Sequence, residues 1–490
     1  MNHTAGDFAS GEFTTAVPLV AGEWGGSGEV HEICDPARPS LAVGRAQHSS
    51  PADVSHAYAA AARVARTWAE FPAASRAGLL YRAADLLDRD LEASARDLVL
   101  EEGKILADSR GEVQRSAATL RYYAGALLQP SGHLYPPENA TLSLSRRVPV
   151  GVVTVITPFN YPMLLPAWKI GAALAYGNVV VWKCSELVPL SAWRFARALD
   201  EAGLPPGVLN LLIGGVELAE PLMDSADFRA LTFTGSTKVG RQLATAVAGR
   251  GIRLQLELGG KNPAVVLDSA DPLFAADSIA KGSMSATGQK CTAISLAIAT
   301  PGIYDDLRDA LAERISRLRL GHGLQEGTEI GPLITATAAA RVHQEIVAAQ
   351  DRGATLVTGH PRHPDEGHFV TPTVLEGAAD RDPLLTHEVF GPLLLLVRAT
   401  DEDDAVARAN NSPFGLNAAL FTSDLDSGVR LAQDIHAGMV HVNAVSGFPP
   451  HIPFGGVKAS GFGPLEQGDS AAEFFTETRI LHIHAGSGRP

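Results

Sequence analysis

The sequence has few of the residues that define several common protein classes. Only three of its 490 residues are cysteine, and an odd, sparse set of thiols does not make a disulfide framework. Basic residues are also scarce, because 40 Lys and Arg stand against 54 Asp and Glu, giving a formal net charge of −14. This deficit argues against the basic patches that binding to nucleic acid or to an anionic membrane requires.

Segments that would direct the chain to a membrane are equally scarce. Residues 148–168 carry no charge, but prolines break up the run and argue against a spanning helix. The first 15 residues have neither a basic segment nor an apolar core, so we predict no signal peptide. We therefore expect a cytoplasmic protein that binds neither membrane nor nucleic acid. The interrupting prolines are Pro149, Pro158, Pro162 and Pro166.

What the chain does contain indicates a globular α/β protein of two or three domains. The pattern is helical from Pro51 to about Leu128, and residues 129–147 are typical of a loop and an exposed strand. After Val148 short apolar strands alternate with helices, which predicts a parallel sheet covered on both faces. A second α/β series starts at Ala264. The predicted strands are 151–156, 178–182, 208–213, 229–233 and 252–256, with helices at about 163–175, 189–202 and 237–248.

A carboxylate and a thiol each lie in a glycine-flanked turn that ends an apolar run. Glu257 begins the segment Glu-Leu-Gly-Gly-Lys-Asn-Pro, and Cys291 ends the segment Gly-Gln-Lys-Cys. A thiolate can attack a carbonyl, and a carboxylate can activate the water that releases the acyl group. A buried, inert cysteine is the ordinary alternative. The position of Cys291 at the close of a turn favours the chemical role.

Both turns resemble the glutamate and cysteine signatures of the aldehyde dehydrogenase superfamily. Further motifs follow in the family's order and extend the resemblance over about residues 18–484. Cys184 replaces a proline that is usual in one of them, which loosens that turn without removing its polar residues. These motifs are Pro158-Phe-Asn-Tyr-Pro162, Lys183-Cys-Ser-Glu186, Phe233-Thr-Gly-Ser-Thr-Lys-Val-Gly240, Glu388-Val-Phe-Gly-Pro392 and Pro453-Phe-Gly-Gly-Val-Lys-Ala-Ser-Gly461.

The resemblance implies specific roles for individual residues. Cys291 would be the nucleophile, Glu257 the base for deacylation, and Asn160 the side-chain donor to the oxyanion. Glu186 would accept hydrogen bonds from the adenosine ribose and favour NAD, although Lys183 leaves NADP possible. The implied cofactor-binding residues are Thr157, Pro158, Phe159, Lys183, Ser185, Glu186, Gly235, Ser236, Leu258, Glu388 and Phe390.

The resemblance also implies an architecture of three parts. A Rossmann-like cofactor domain would span 1–128 and 148–257, and an α/β catalytic domain would span 258–455. Residues 129–147 and 456–490 would form a small β arm for oligomerisation. Because an isolated arm with exposed strand edges is marginally stable, we expect a homodimer or a homotetramer.

The substrate is the least determined part of the prediction. Trp168 and Phe454 would line the channel to the nucleophile, and an apolar lining favours neutral medium-chain or aromatic aldehydes. The alternative is 2-oxoglutarate semialdehyde or another semialdehyde, because the run 160–169 looks most like the branch that contains 2-oxoglutarate semialdehyde dehydrogenases. Such an anion needs a donor in the channel, and Arg115 or Arg121 is a candidate.

Two other classes of protein are compatible with parts of this pattern. A CoA-acylating dehydrogenase would use the same nucleophile but typically lacks the base glutamate, so Glu257 argues against it. A non-catalytic relative would be expected to have lost Cys291 or Asn160. We expect no metal site, since the histidines that cluster in sequence lie among Pro, Asp and Gly in a predicted surface loop. These are His360, His363 and His368.

Overall fold

The computed structural model describes residues 14–129, 131–359 and 366–485, so His360 and His363 lie outside the described residues. The strands, in chain order, are β1 (Thr14–Ala16), β2 (Leu19–Val20), β3 (Glu23–Trp24), β4 (Val30–Asp35), β5 (Arg38–Gln47), β6 (Leu134–Tyr135), β7 (Leu142–Pro149), β8 (Val152–Ile156), β9 (Val179–Cys184), β10 (Leu209–Ile213), β11 (Ala230–Thr234), β12 (Arg253–Glu257), β13 (Asn262–Val266), β14 (Ile294–Ala299), β15 (Thr355–Thr358), β16 (Thr373–Glu376), β17 (Leu393–Arg398), β18 (Phe414–Gly415), β19 (Asn417–Phe421), β20 (Met439–Val442), β21 (Val457–Lys458), β22 (Gly461–Phe462) and β23 (Thr476–Ile483).

The helical region begins at Pro51, where the sequence predicts it. Its first helix starts after Ser50, whose hydroxyl and the carboxylate of Asp53 form a reciprocal capping box. None of the helices among the described residues is long and apolar enough to cross a membrane. They are α1 (Pro51–Glu70), α2 (Ala73–Arg89), α3 (Leu91–Glu102), α4 (Leu106–Ala126), α5 (Leu164–Ala175), α6 (Pro189–Glu201), α7 (Ala219–Asp224), α8 (Thr237–Val247), α9 (Pro272–Met284), α10 (Tyr304–Ser316), α11 (Ala336–Asp351), α12 (Glu402–Asn410), α13 (Leu425–Asp434) and α14 (Gly468–Phe475).

The first large sheet confirms the predicted parallel series. Its order is β22-β12-β11-β8-β9-β10-β2-β3, and the five strands from β12 to β10 are parallel. The carboxyl ends of parallel strands meet at one edge of a sheet, which is where ligands bind in such folds. Asn160, Lys183, Gly235 and Glu257 all lie at or just beyond this edge.

The second large sheet carries the nucleophile. Its order is β15-β16-β17-β14-β13-β19-β20, and every pair except β15 with β16 is parallel. Alternate residues of β13 belong to different apolar clusters, with Val265 in one and Ala264 in the other, so both faces are covered. Cys291 immediately precedes β14 in this sheet.

A third sheet, in the region predicted to form the arm, has the order β23-β7-β6. Within the described part of the segment 456–490, however, only β23 pairs in this sheet. Strand β22 instead extends the first large sheet, and α14 buries Phe474 and Phe475 in the first sheet's core. The sequence does not reveal this split because the pairing of β22 with β12 joins residues far apart in the chain. We keep the three-part division of the chain as a proposal.

Candidate active site

Cys291 follows a strained turn, Ser285–Gly288, that comes directly before the second sheet's strand β14. Ala286 and Thr287 have φ values of 51° and 55°, which lie in the left-handed region that residues other than glycine rarely adopt. The Thr287 hydroxyl donates to the carbonyl of Gly331 at 3.1 Å. Contacts from a neighbouring segment therefore hold the backbone in front of the thiol in an unusual conformation.

Asn160 lies in the loop between β8 and α5 and is only 4% exposed. Its side-chain amide donates from Nδ2 to the carbonyl of Gln289 at 2.9 Å. Gln289 precedes the nucleophile by two residues, so the structure brings Asn160 and the nucleophile loop together although they lie far apart in sequence. The two loops come from different sheets, and the hydrogen bond joins them.

A buried ion pair supports the backbone of Asn160. Lys104 donates to the Asn160 carbonyl at 2.7 Å and to Glu112 Oε2 at 2.6 Å, and both charged side chains are fully buried. The other carboxylate oxygen, Glu112 Oε1, accepts the N–H groups of Met163 at 2.9 Å and Leu164 at 3.2 Å. This pair fixes the loop of Asn160 and the start of α5 as one unit.

Glu257 ends β12 in a buried cluster of charges. Lys169, on α5, contacts Glu466 and donates to the Thr232 hydroxyl at 2.7 Å. Burial, and then the charge of Glu466, raise the pKa of Glu257 well above its ordinary value, while Lys169 opposes the rise. A Cβ atom on Gly455 would lie 2.5 Å from Glu257 Oε1, so only glycine leaves room for this carboxylate.

The groups around the Cys291 thiol disfavour a thiolate. Burial, and then the charges of Glu257, Glu388 and Glu466, raise the pKa of Cys291 to about 12. Glu257 is the strongest of these charges. The isolated protein therefore holds a neutral thiol near carboxylates, and a base must remove its proton before it can attack.

An apolar channel wall lies against the nucleophile. The ring centroids of Trp168 and Phe454 are 4.9 Å apart, and those of Phe448 and Phe454 are 5.4 Å apart. The structure thus brings Trp168 and Phe454 together with Cys291, as the sequence analysis expects. We call this cluster the channel wall; its members are Tyr161, Leu164, Leu165, Trp168, Leu416, Met439, Phe448 and Phe454.

On another side of Cys291 lies Glu388. Its Oε1 accepts the N–H of Gly260 at 3.1 Å, and a Cβ atom on Gly259 would meet Oε2 at 2.0 Å. Burial raises the pKa of Glu388 to about 7. The rings of Phe159 and Phe390 meet edge to face, with centroids 6.0 Å apart. Glu388 therefore lies against the glycines that follow Glu257, and the two other predicted cofactor residues, Phe159 and Phe390, pack against each other.

A second acidic group lies in the region predicted to bind the adenosine ribose. Lys183 Nζ lies 3.4 Å from Glu186 Oε2. Glu217, which sequence reasoning missed, accepts the N–H of Gly215 at 2.6 Å, and Glu186 also approaches Gly215. His48 Nδ1 lies 3.9 Å from Glu217 Oε1. A single glutamate two positions after a pair of glycines gives no distinctive signal in the sequence.

The other predicted cofactor residues lie in loops at the carboxyl ends of β8, β9, β11 and β12. Ser236 is the N-cap of α8, where its hydroxyl accepts the N–H of Val239 at 3.3 Å. Such a helix start carries the free N–H groups that suit a phosphate. The remaining loop residues are Thr157, Pro158, Ser185, Gly235 and Leu258.

Comparison with known proteins identifies the family of this chain. A sequence model of the aldehyde dehydrogenase family matches residues 24–481. The chain belongs to the aldehyde dehydrogenase family. The superfamily predicted from the motifs and the predicted α/β fold class are both confirmed. Family membership makes the chain an oxidoreductase that acts on aldehydes.

Similar members of the aldehyde dehydrogenase family differ in the substrates that they are named for. The chain is 35% identical over 481 residues to alpha-ketoglutaric semialdehyde dehydrogenase of Bacillus subtilis, covering 96% of this chain and 99% of the relative. It is 39% identical over 436 residues to phenylacetaldehyde dehydrogenase of Pseudomonas fluorescens, covering 87% and 86%. An aldehyde dehydrogenase from Bacillus cereus, solved as an NAD+ complex, superposes with a TM-score of 0.93 at 31% identity, covering 99% of each chain.

The sequence motifs of this aldehyde dehydrogenase did not reveal the residues that support its site. Lys104 lies between α3 and α4 and Glu112 lies in α4, a region that carries many charges, and nothing local marks these two as buried. Glu466 lies close to the C-terminus and reaches Lys169 only through tertiary packing. A charged residue inside an otherwise apolar run is the one available signal, and Lys169 is such a residue.

Proposed function

We propose that the protein oxidises an aldehyde to a carboxylic acid with NAD+, through an acyl group carried on Cys291 and released by water. One observation carries this proposal. Cys291 lies against the apolar channel wall, the amide of Asn160 contacts its loop, and Glu257 exerts the largest charge effect on the thiol. A nucleophile, an oxyanion donor and a general base in one buried site are the groups that acyl transfer requires.

The first step is activation of the thiol. Because Cys291 is protonated in its buried site, its proton has to pass to a base or to water before the thiol attacks. The thiolate then adds to the aldehyde carbon and forms a thiohemiacetal. The raised pKa of Glu257 makes its carboxylate a stronger proton acceptor, which suits it to the later step that releases the acyl group.

The developing oxyanion needs a fixed hydrogen-bond donor. Asn160 uses one N–H of its amide on the Gln289 carbonyl, and a carboxamide nitrogen carries a second N–H. Lys104 and Glu112 hold the backbone of Asn160, so the amide does not have to reorganise when the charge forms. A preorganised donor of this kind contributes about 3 kcal/mol to lowering the barrier.

Release of the product depends on the cluster around Glu257. Glu257 takes a proton from water, and the hydroxide attacks the thioester carbon and expels the Cys291 thiolate. Lys169 and Glu466 form the polar partners behind Glu257, with one carboxylate oxygen of Glu257 and one of Glu466 left without a hydrogen-bond partner among the described residues. This arrangement favours hydrolysis over transfer to CoA.

The residues present fit a nicotinamide dinucleotide. When bound, NAD+ would supply the hydride acceptor that oxidation of the thiohemiacetal to the thioester requires. Glu186 and Glu217 would accept hydrogen bonds from ribose hydroxyls and would repel a 2′-phosphate, which favours NAD over NADP. The capped start of α8 would offer its N–H groups to the pyrophosphate, and Glu388 would hold the nicotinamide half.

The channel wall binds the hydrocarbon part of the substrate. Trp168, Phe448 and Phe454 bury apolar carbons next to the aldehyde group, at roughly 25 cal/mol per Å² of apolar surface removed from water. Two substrate classes satisfy this wall, namely neutral medium-chain or aromatic aldehydes and semialdehydes with a short carbon chain. The names of the two relatives, one for phenylacetaldehyde and one for a semialdehyde, correspond to the same two classes.

The arm sheet supports assembly into a homodimer or a homotetramer. Leu134, Tyr135, Ile480 and Ile483 expose large apolar side chains on this sheet. A three-stranded sheet with such a surface gains stability when a second subunit covers it. Light scattering coupled to size exclusion measures the number of subunits directly, and a monomer at micromolar concentration would contradict this part.

A single assay tests the reaction itself. NADH formation is measured with an aldehyde in the presence and absence of CoA, and the product is identified by mass spectrometry. We expect a carboxylic acid and a rate that does not depend on CoA. An acyl-CoA product would contradict hydrolysis by water, and no NADH with any aldehyde of a broad panel would contradict the proposed function as a whole.

A further inference from the structure

Lys290, which directly precedes the nucleophile, is a buried cation without an ion pair. It is 7% exposed, and its amine donates to the Ser285 hydroxyl at 2.6 Å. Among the residues that the structure describes, it makes no ion pair. The other buried lysines of the site differ, because Lys104 and Lys169 each contact a carboxylate and Lys261 lies in the field of Glu388.

A buried ammonium without a carboxylate is costly, because burial removes hydration that a neutral hydroxyl does not replace. Burial lowers the pKa of Lys290 to about 8, and the charge of Asp108 only partly opposes this. The amine therefore still carries its charge at neutral pH. A cation in this state gains stability when an anion enters its surroundings, so the site favours an anionic ligand.

Lys290 lies where the substrate channel meets the helical region. Its chain neighbour Cys291 packs against the channel wall, while its amine reaches the loop at the end of α9. In that loop the N–H of Ala286 donates to Asp108 at 3.4 Å, which brings the first turn of α4 alongside. The amine therefore lies among the nucleophile, the end of α9 and the start of α4.

Arg115 supplies a second cation from α4. It is exposed and makes no ion pair within the described parts of the chain, whereas Arg121 on the same helix contacts both Asp85 and Asp88. The charge of Arg115 acts on Lys290 and on Tyr161, which belongs to the channel wall. Three cations, Lys290, Arg115 and Lys281, are therefore set against one carboxylate, that of Asp108, and leave a net positive charge.

We propose that Lys290 and Arg115, with the Ser285 hydroxyl, form an anion-binding subsite of the aldehyde channel that binds a carboxylate at the far end of the substrate. The preferred substrates are then ω-oxo acids, whose carbon chain lies on the channel wall and whose carboxylate meets the two cations. This inference rests on the proposed function, because it specifies the substrate of the same site. The apolar lining and the cations are then complementary parts of one pocket.

Matched substrates test the subsite in the assembled enzyme. The probes are 5-oxopentanoate and pentanal, which have the same number of carbons and differ in the terminal carboxylate. We expect kcat/KM to favour 5-oxopentanoate by about tenfold or more, as hydrogen bonds to charged groups typically give. If pentanal is the better substrate, the subsite is wrong while the proposed function stands; if neither aldehyde yields NADH, the proposed function fails first.

Substitutions then assign the preference to its residues. Lys290→Met keeps the length of the side chain and removes the charge, so the ratio of kcat/KM for the two probes should fall by about tenfold or more, chiefly through KM. Lys290→Arg should restore most of the ratio. Arg115→Gln should lower the ratio by about threefold to tenfold, since its exposed charge is better screened.

The matched control is Arg121→Gln, which removes an arginine already paired on the same helix, and this variant should leave the ratio unchanged. Equal losses on both probes in Lys290→Met would show that the lysine supports the nucleophile loop and binds no substrate carboxylate. A lowered ratio in Arg121→Gln as large as in Arg115→Gln would show a general effect of surface charge, which would also overturn the assignment.

Discussion

Lys104 and Lys169 are two buried lysines near one nucleophile, and their surroundings differ in a way that separates two tasks. Around Lys104 both oxygens of the paired carboxylate, Glu112, accept hydrogen bonds, whereas neither oxygen of Glu102, 4.0 Å from Lys104, has a partner in the described residues. Around Lys169 one oxygen of Glu257 and one of Glu466 have no partner in the described residues. A carboxylate with both oxygens bonded to its surroundings holds a backbone in place, whereas a free carboxylate oxygen has room for a proton or a water molecule.

The number of negative charges that each lysine faces also differs between the two clusters. Glu102 lies 4.0 Å from Lys104, but burial raises the pKa of Glu102 to about 8, so it is mainly neutral at pH 7 and Lys104 faces a single charge on Glu112. Lys169 stands between two carboxyl groups, and the charge of Glu466 raises the pKa of Glu257. We infer that the Lys104 cluster positions the oxyanion donor and that the Lys169 cluster handles protons.

The largest expected effect comes from removing the nucleophile that both clusters serve. Cys291→Ala should lower NADH formation by about 10⁴-fold or more while NAD+ binding stays nearly unchanged, because no covalent intermediate can form. Cys34→Ala and Cys184→Ala are the matched controls and should retain most activity. Turnover above a few per cent in Cys291→Ala would remove the basis for comparing the two clusters.

The next effect isolates the cluster around Lys169. Glu257→Gln should slow the steady state by about 10²- to 10⁴-fold, because the amide cannot take a proton from water. Stopped-flow measurement should then show a burst of NADH, and intact-protein mass should show the acyl group on Cys291. A slow reaction with neither burst nor acyl group would place the role of Glu257 in activation of the thiol instead.

A smaller loss is expected on the other side of the comparison. Lys104→Met removes the donor to the Asn160 carbonyl, and displacement of the oxyanion donor should lower kcat and kcat/KM together by about 10- to 100-fold. No burst of NADH should appear, because the step before the thioester is slowed. A burst like that of Glu257→Gln would show that the two clusters do not divide the tasks.

The pH dependence sharpens the same division. Deacylation needs the deprotonated form of Glu257, so the rate should rise as pH rises through its raised pKa. Lys169→Met removes the cation that holds this pKa down, and the rising limb of the steady-state profile should move to higher pH. Lys104→Met should leave the position of the limb unaltered. A limb that stays in place in Lys169→Met would contradict the electrostatic role of that lysine.

The smallest effect concerns a carboxylate far from both clusters. Glu186→Gln should raise kcat/KM for NADP+ relative to NAD+ by up to about fivefold, because Glu186 is partly exposed and its repulsion of a 2′-phosphate is screened. The double variant with Glu217→Gln should raise the ratio further. A wild-type preference for NADP+ would contradict the role of both carboxylates.

The local pattern of the sequence predicted the first parallel sheet closely. Strands β8 to β12 begin and end within two residues of their predicted limits, because apolar runs bounded by Gly, Asn or charged residues are local signals. The motifs around Asn160, Glu257 and Cys291 also led to residues that the structure brings together. The roles of these residues stay predictions.

What the sequence could not predict depends on contacts between distant segments. Lys104 lies more than fifty positions before Asn160, and no local pattern marks the Glu112 pair as buried. The burial of Lys290 depends on how the loop at Ser285 folds back, which requires two left-handed residues. The pairing of β22 with β12 likewise depends on tertiary folding, because the two strands lie far apart in the sequence.

The position of β22 and Glu466 late in the sequence determines when activity can begin. Strand β22 completes the edge of the first sheet beside Glu257, and Glu466 provides the partner of Lys169. During synthesis these residues leave the ribosome after all the other strands of both large sheets. A nascent chain therefore carries its nucleophile before it can hydrolyse an acyl group, and turnover begins only after Glu466 has emerged and packed against Lys169.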